Sequence, residues 1–190
     1  MLYKNTYRIE PSRLKHWDYS IGGYYYVTIC TLDKKCFFGA INNGKMILSD
    51  MGYIAQKNWQ EIPRQFPTVQ LNEFVIMPNH IHGIVINTGN NVCHDRDATN
   101  SGSMQTANET GGGITKTDNP MLKQCSLSTI IRLYKGRTKF EINKIKTQKC
   151  FAWQTRFYDT IIRTEKDLFC IKKYIVYNPL NWDSDDLTPM

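Results

Sequence analysis

The sequence lacks close cysteine pairs and long apolar runs, and each absence excludes a class of protein. Its six cysteines are scattered and form no Cys-x-x-Cys pair, which zinc ribbons and thiol redox motifs need. We therefore expect free thiols in a reducing compartment. No apolar run approaches the roughly 18 residues of a membrane span, and the first residues have no signal-peptide pattern. The sequence predicts a cytoplasmic protein with no membrane partner.

Positive charge outweighs negative charge along the chain. Among 190 residues, 24 lysines and arginines face 17 aspartates and glutamates, for a formal net charge of +7. A basic surface favours a polyanionic partner, because neutralised phosphates release their counterions. Hydrophobic residues make up 41% of the chain, which suffices for a core without disulfides. Composition alone supports a nucleic-acid partner and the absence of such a partner equally well.

The distribution of polar and apolar residues divides the chain into an arm, one domain and a tail. Residues 1–23 form a basic, aromatic arm, residues 24–182 form a single domain, and the acidic residues 183–190 follow it. Within the domain, residues 88–120 are rich in Asn, Gly, Ser, Thr and Asp and contain few large apolar residues. That composition predicts a flexible insertion on the surface, whose role the sequence leaves open.

Patterning in the rest of the domain predicts an α+β fold. In chain order, the expected elements are a strand at 24–31, a hairpin at 36–48, a helix at about 50–62, strands at 68–77 and 80–87, a helix at 126–145, a strand at 157–163 and a helix after Thr164. Asn42-Asn43-Gly44 marks the hairpin, and Pro63 and Pro179 are expected to end two of the helices. This order predicts a ferredoxin-like or RRM-like antiparallel sheet covered by helices.

Two histidines are two residues apart on one predicted strand. Because side chains alternate between the faces of a strand, His80 and His82 share one face, whereas Ile81 points to the other. Imidazoles so arranged can both bind one cation, and we expect the pair in an open cavity on the sheet. Paired strand histidines are also often surface or hydrogen-bonded residues without a metal. The spacing alone leaves both interpretations open.

Longer strings around these residues resemble a known family. Met77-Pro78-Asn79-His80-Ile81-His82-Gly83 is similar to the hallmark of the REP-associated tyrosine transposases, a branch of the single-tyrosine HUH transposases. Trp153 to Arg163 is similar to the family's segment before its catalytic helix, and Glu165 to Pro179 to that helix. The resemblance covers residues 24–182 apart from the insertion. It implies a ferredoxin-like HUH endonuclease fold, a metal-dependent nick in single-stranded DNA and a covalent phosphotyrosine intermediate.

The resemblance also implies which residues form the site. The family's nucleophile is the tyrosine four residues before Asn-Pro, which corresponds to Tyr174, and Asn178 corresponds to the polar residue that completes the metal site of His80 and His82. Helical geometry agrees, because Tyr174 and Asn178 lie beside the apolar stripe of the last helix, whereas Tyr177 lies nearly opposite it. Mg²⁺ or Mn²⁺ suits two imidazoles, one amide oxygen and a phosphate. Without the resemblance, such a tyrosine is more often a helix-packing residue.

Basic side chains beyond this site are candidates for DNA contact. Four lie on the helix after the insertion and two flank the short strand that follows: Arg132, Lys135, Arg137, Lys139, Arg156 and Arg163. Charges on an amphipathic helix often form only a solvated face, yet a phosphate-binding surface next to the histidine site is at least as well supported here. The expected partner is single-stranded DNA with a hairpin structure. A homodimer is compatible with the resemblance but not established by it.

Three functions from different classes remain open from sequence. The first is an active transposase that cuts and rejoins single-stranded DNA, and the second is an inactive relative that binds DNA or RNA hairpins without cutting. The third is a zinc hydrolase, which would need a further nitrogen or carboxylate ligand near the pair. The remaining histidines, His16 and His94, lie in the arm and in the insertion. The presence of all four site residues favours the first function.

Overall fold

A four-stranded antiparallel sheet forms the centre of the protein in a computed structural model that describes residues 2, 3, 6, 7, 19, 21–89, 126–145, 151–184 and 187. The elements are β1 Leu2–Tyr3, β2 Thr6–Tyr7, β3 Gly23–Cys30, β4 Gly39–Asn42, β5 Lys45–Leu48, α1 Asp50–Gln60, α2 Ile62–Gln65, β6 Val69–Ile76, β7 His80–Asn87, α3 Leu127–Lys144, β8 Tyr158–Ile162 and α4 Glu165–Tyr177. Short 3₁₀ helices, Leu32–Lys34 and Asn178–Ser184, follow β3 and α4. Most of the predicted insertion and arm lie outside the described residues.

The strand order identifies the arrangement of the sheet. Strands β6, β7, β3 and β8 are neighbours in that order, and each neighbouring pair is antiparallel. Along the chain the core elements follow as β3, α1, β6, β7, α3 and β8, which is the ferredoxin-like order of strands and helices. The predicted α+β, ferredoxin-like fold is therefore confirmed. Two smaller antiparallel pairs, β1–β2 and β4–β5, stand apart from this sheet.

Helices α1 and α3 pack on one face of the sheet. Their buried side chains form one apolar cluster with alternate residues of the central strands, among them Val27, Ile29, Ile81 and Val85. Both helices begin where predicted, because Ser49 and Ser126 accept hydrogen bonds from backbone N–H groups of the first turn. The prediction that Pro63 ends α1 is wrong, because α1 ends at Gln60. Pro63 lies in the first turn of α2, where a missing N–H leaves no helix hydrogen bond unmade.

Helix α4 packs on the opposite face of the sheet. Ile175 is buried there against Ile84 and Ile162, with Leu168 and Ile171 partly buried beside them. The predicted apolar stripe of this helix is therefore confirmed. Thr164 caps the first turn, because the N–H of Asp167 donates to its hydroxyl at 3.1 Å. Among the described helices, none is long and apolar enough to cross a membrane.

Gly83 allows a close approach between β7 and α1. A Cβ added at this position would lie 2.4 Å from Cζ2 of the Trp59 indole. That indole is fully buried, with ring contacts to Phe74 and Tyr134. The absence of a side chain at Gly83 thus sets how closely the helix lies on the sheet.

We expect Gly83→Ala to destabilise the protein by about 1–3 kcal/mol, because the added methyl group must displace a packed aromatic ring. Urea unfolding followed by circular dichroism measures the change. Gly136→Ala in α3 is the matched control, since nothing lies within 4 Å of its added Cβ. This control should stabilise by up to about 1 kcal/mol through helix propensity. Equal stability of Gly83→Ala and the wild type would contradict the proposed packing role.

Candidate functional site

His80 and His82 lie on β7, on the sheet face that α4 covers. Their ring centroids are 4.4 Å apart, while Ile81 between them packs in the core on the other face. The predicted shared face is thus confirmed. The predicted open cavity is wrong, because the two side chains are only 0% and 2% exposed. Alternation along a strand fixes the face of a side chain, but burial depends on what packs above it.

Three aromatic rings cover the histidine pair. The ring centroid of Tyr26 lies 5.5 Å from that of His82, and the ring centroid of Tyr174 lies 5.2 Å from it on α4. Trp182, in the 3₁₀ helix after α4, stacks on His80 at 6.0 Å. Tyr26 and Tyr174 also meet edge to face at 6.4 Å. Strand β3, strand β7 and the C-terminal helices therefore build the site together.

The hydrogen bonds of Asn79 fix the tautomer of His80. Its Nδ2 donates to the backbone carbonyls of Lys34 at 3.1 Å and Leu187 at 2.7 Å. Its Oδ1 therefore faces Nδ1 of His80, 2.7 Å away. Because an amide oxygen only accepts, Nδ1 carries the proton and Nε2 keeps its lone pair. That Nε2 is buried and has no hydrogen-bond partner among the described residues.

Two hydroxyl groups on β3 hold His82. The hydroxyl oxygens of Tyr26 and Thr28 lie 2.7 Å and 2.9 Å from its Nδ1. The other ring nitrogen, Nε2, is 3.5 Å from the hydroxyl oxygen of Tyr174. Tyr174 is itself 47% exposed. Its hydroxyl thus reaches the histidine pair while part of its ring remains accessible to a substrate.

Asn178 lies between the two C-terminal residues that contact the histidines. It follows Tyr174 by four positions and precedes Trp182 by four, and its side chain is buried. Tyr177, one position before it, is 48% exposed. Tyr177 has no ring contact or hydrogen bond of its side chain to the other described residues. The structure therefore brings His80, His82 and Tyr174 together and leaves Tyr177 outside.

Burial lowers the pKa of His80 to about 3, and the positive charge of Lys34 contributes to the shift. We therefore expect the metal-free protein to lose stability as the pH falls below about 6.5, the pKa of an unfolded histidine. In that window the unfolded chain binds a proton that the folded chain rejects, so the free energy of unfolding falls by up to a few kcal/mol.

His80→Gln should remove this part of the pH dependence, because glutamine does not titrate. Urea unfolding of both proteins in EDTA at about pH 7 and about pH 5 measures the difference, since these values bracket the pKa of an unfolded histidine. His82 is present in both proteins, so any contribution it makes to the pH dependence of stability cancels in the comparison. An identical loss of stability in wild type and variant would contradict the buried, neutral imidazole.

Two of the predicted DNA-binding side chains make contacts within the fold. The ammonium of Lys135 donates to the backbone carbonyls of Gln154 and Thr155. The guanidinium of Arg137 pairs with Glu61 and, at 3.0 Å, with Glu141. Their predicted role in DNA binding stays a prediction.

The other four predicted basic residues are exposed: Arg132, Lys139, Arg156 and Arg163. The expectation that α3 lies next to the histidine site is wrong, because α3 packs on the opposite face of the sheet. Amphipathic patterning shows which side of a helix meets a sheet, but not which sheet face it covers. Arg156 and Arg163 flank β8, which is paired with β3, and so lie on an element next to the site.

Several residues around the histidines were not identified from sequence. Tyr26 and Thr28 share a face of β3, yet their proximity to His82 depends on the pairing register of β3 with β7. Trp182 lies three residues after Pro179, beyond the predicted end of the last helix, so no helical periodicity relates it to the site. Within the described part of the chain, no group of three or more His, Cys, Asp or Glu is placed to hold a metal ion. The third ligand that a zinc hydrolase needs is thus not found there.

Comparison with known proteins gives a sequence relative and a structural neighbour. No family model matches the chain. An uncharacterized protein of Haemophilus influenzae is 35% identical in an alignment of 183 positions that covers 92% of this chain and 90% of that protein. The solved structure of a REP-associated tyrosine transposase bound to a REP hairpin is similar with a TM-score of 0.55 and 17% identity, over 92% of this chain and 74% of that one. This likeness shows a shared fold.

Proposed function

We propose that this chain, which belongs to the same family as the uncharacterized Haemophilus influenzae protein, cuts and rejoins single-stranded DNA as a REP-associated tyrosine transposase. The shared fold supports the proposal, as do the motifs from Met77 to Gly83 and from Trp153 to Pro179. The observation that carries it is one contact. A tyrosine hydroxyl, that of Tyr174, lies 3.5 Å from a nitrogen of His82, beside a second histidine.

The site residues fit a divalent cation. Nε2 of His80 keeps a lone pair and has no hydrogen-bond partner among the described residues, and a buried nitrogen of this kind suits a metal ligand. Nε2 of His82 and the buried amide oxygen of Asn178 would be the other two protein ligands of the cation. Phosphate oxygens and water would supply the rest, so Mn²⁺ or Mg²⁺ suits the site, and Mn²⁺ accepts imidazole more readily. When bound, the cation would stabilise the negative charge that develops on the phosphate.

Tyr174 would act as the nucleophile. Its hydroxyl oxygen forms a bond to the phosphorus of a phosphodiester, and the bond from phosphorus to one DNA oxygen breaks. The phenol gives up its proton, and the released DNA oxygen takes one up as a hydroxyl. The phosphotyrosine bond preserves the energy of the original ester, so the reverse attack by a DNA hydroxyl rejoins a strand without ATP. Partial exposure of Tyr174 leaves its ring accessible to the DNA.

Single-stranded DNA with a hairpin is the proposed substrate. The structural neighbour is described as bound to a REP hairpin, and a net charge of +7 favours a polyanion. Exposed arginines on either side of β8, Arg156 and Arg163, are the proposed phosphate contacts nearest the site. Arg132 and Lys139 are proposed as more distant contacts on the opposite face.

A covalent-adduct assay tests the proposed function. The protein is incubated with end-labelled hairpin DNA carrying single-stranded flanks, in Mn²⁺, in Mg²⁺ or in EDTA, and is then denatured in SDS. We expect a labelled band at the mobility of the protein with a divalent cation and none in EDTA. DNA binding without an adduct on a panel of hairpins would instead indicate the inactive relative.

A further inference from the structure

The turn after β3 has an unusual backbone. Asp33 and Lys34 have φ values of 56° and 51°, in the left-handed region. Residues other than glycine rarely adopt this conformation, because the Cβ atom crowds the backbone. Two such residues in succession show that the surrounding structure holds the turn in place. Strain of this kind is concentrated at functional sites, and this turn lies beside the histidine pair.

Two side chains hold this turn against β7. Asn79 donates from Nδ2 to the carbonyl of Lys34 at 3.1 Å and accepts at Oδ1 from His80 at 2.7 Å. The hydroxyl of Thr31 lies 2.8 Å from the carbonyl oxygen of Lys35 and 2.9 Å from that of Asn79. A single asparagine side chain therefore connects the backbone of Lys34 to the imidazole of His80. That connection keeps Lys34 within a side chain's reach of the histidine.

The two lysines of the turn have different surroundings. Lys35 is paired with Asp33 at 3.7 Å, and its side chain is 62% exposed. Lys34 is partly buried, and its positive charge acts on His80, whose pKa it helps to lower. The charge of Lys34 therefore lies close enough to His80 to act on it, whereas Lys35 is exposed and paired with Asp33.

We propose that Lys34 binds an oxygen of the scissile phosphodiester next to the histidine pair. The proposal rests on the proposed function and adds a residue to its site. An ammonium group is a compact charge with three donors and suits a phosphate oxygen. It would repel a divalent cation on His80 and His82, but a phosphodiester between them attracts both. The turn holds the backbone of Lys34 beside His80 before DNA arrives, so less ordering is needed on binding.

This role predicts opposite changes in two affinities. Removing the charge of Lys34 should leave the binding of Mn²⁺ to the free protein unchanged or stronger, because a repulsive charge is lost. The same change should weaken the binding of DNA. A purely structural role would give a different result, since a displaced turn would move Asn79 and His80 and weaken the binding of Mn²⁺.

Three variants separate these roles. Lys34→Asn removes the charge with a residue that tolerates a positive φ, Lys34→Arg keeps the charge, and Lys35→Asn is the matched control. Mn²⁺ binding is followed through tryptophan fluorescence, to which Trp182 contributes from its position against His80. Binding of a labelled hairpin oligonucleotide is measured by anisotropy in Mn²⁺, with Tyr174→Phe in every protein so that no strand is cut.

We expect Lys34→Asn to weaken oligonucleotide binding by about tenfold to a hundredfold, as for a lost charged hydrogen bond. Lys34→Arg and Lys35→Asn should each stay within about threefold, as for an exposed charge. Equal losses in Lys34→Asn and Lys35→Asn would overturn the proposal, because only total charge would then matter. Weaker Mn²⁺ binding in Lys34→Asn would overturn it too. If the wild type forms no adduct, only the proposed cleavage is overturned, because the binding assay does not depend on cleavage.

Discussion

Tyr174→Phe should abolish the covalent protein–DNA adduct and leave DNA binding nearly unchanged. The substitution removes one hydroxyl and keeps the ring that contacts Tyr26 and His82, so the site should keep its shape. Loss of a nucleophile slows such reactions by at least about a thousandfold, because the hydroxyl that forms the covalent bond is gone. The adduct is quantified on denaturing gels with end-labelled hairpin DNA, and binding by anisotropy.

Tyr177→Phe is the matched control for this experiment. The two tyrosines belong to the same helix and are almost equally exposed, at 47% for Tyr174 and 48% for Tyr177. They differ in that only Tyr174 reaches His82, so Tyr177→Phe should form the adduct at the wild-type rate. An adduct that survives in Tyr174→Phe and disappears in Tyr177→Phe would show that the assignment of the nucleophile is wrong.

His80→Gln and His82→Gln should each remove cation-dependent cleavage. Both side chains are buried, and glutamine fills much of the volume of histidine without presenting an imidazole nitrogen. Loss of one of two nitrogen ligands should lower metal affinity and the rate of adduct formation by at least about a hundredfold. Calorimetric titration with Mn²⁺ and a time course of adduct formation measure the two effects. Full activity of either variant at the same Mn²⁺ concentration would contradict a need for that imidazole in the metal site.

Two controls separate metal loss from misfolding in these variants. DNA binding in EDTA should match the wild type, because the basic surface does not depend on the histidines. Thr28→Val removes one of the two hydroxyls at His82 and keeps the shape of the side chain. Thr28→Val should lower metal affinity and the rate of adduct formation by only about tenfold, as for a group that only orients a ligand. Loss of DNA binding in EDTA would point instead to a disturbed fold.

Local patterns in the sequence account for the elements and for the faces of individual strands. The alternation of His80, Ile81 and His82 assigns each side chain to a face, because the period of a strand is two residues. Ser49, Ser126 and Thr164 mark helix starts, since each satisfies an N–H group of the first turn. These features depend only on residues that are close together in the chain, so they can be predicted from the sequence.

Packing between distant segments accounts for what the sequence did not reveal. The hydroxyls around His82 come from β3, and their distance depends on strand register. The tautomer of His80 depends on the amide of Asn79, whose orientation is fixed by carbonyls at Lys34 and Leu187. No periodicity shows which sheet face α3 covers or which rings close over a histidine. Such features follow from the assembled fold.

The contacts around the histidines join segments that are far apart along the chain. Thr28 and His82 are separated by 54 positions, His82 and Tyr174 by 92, and Asn79 and Leu187 by 108. Each contact closes a long loop, and its entropic cost is recovered only once the sheet has formed. We therefore expect the site to assemble late in folding, so that a partly folded chain does not hold a tyrosine against two histidines. The proposed strand cleavage is thereby confined to molecules in which the whole domain has formed.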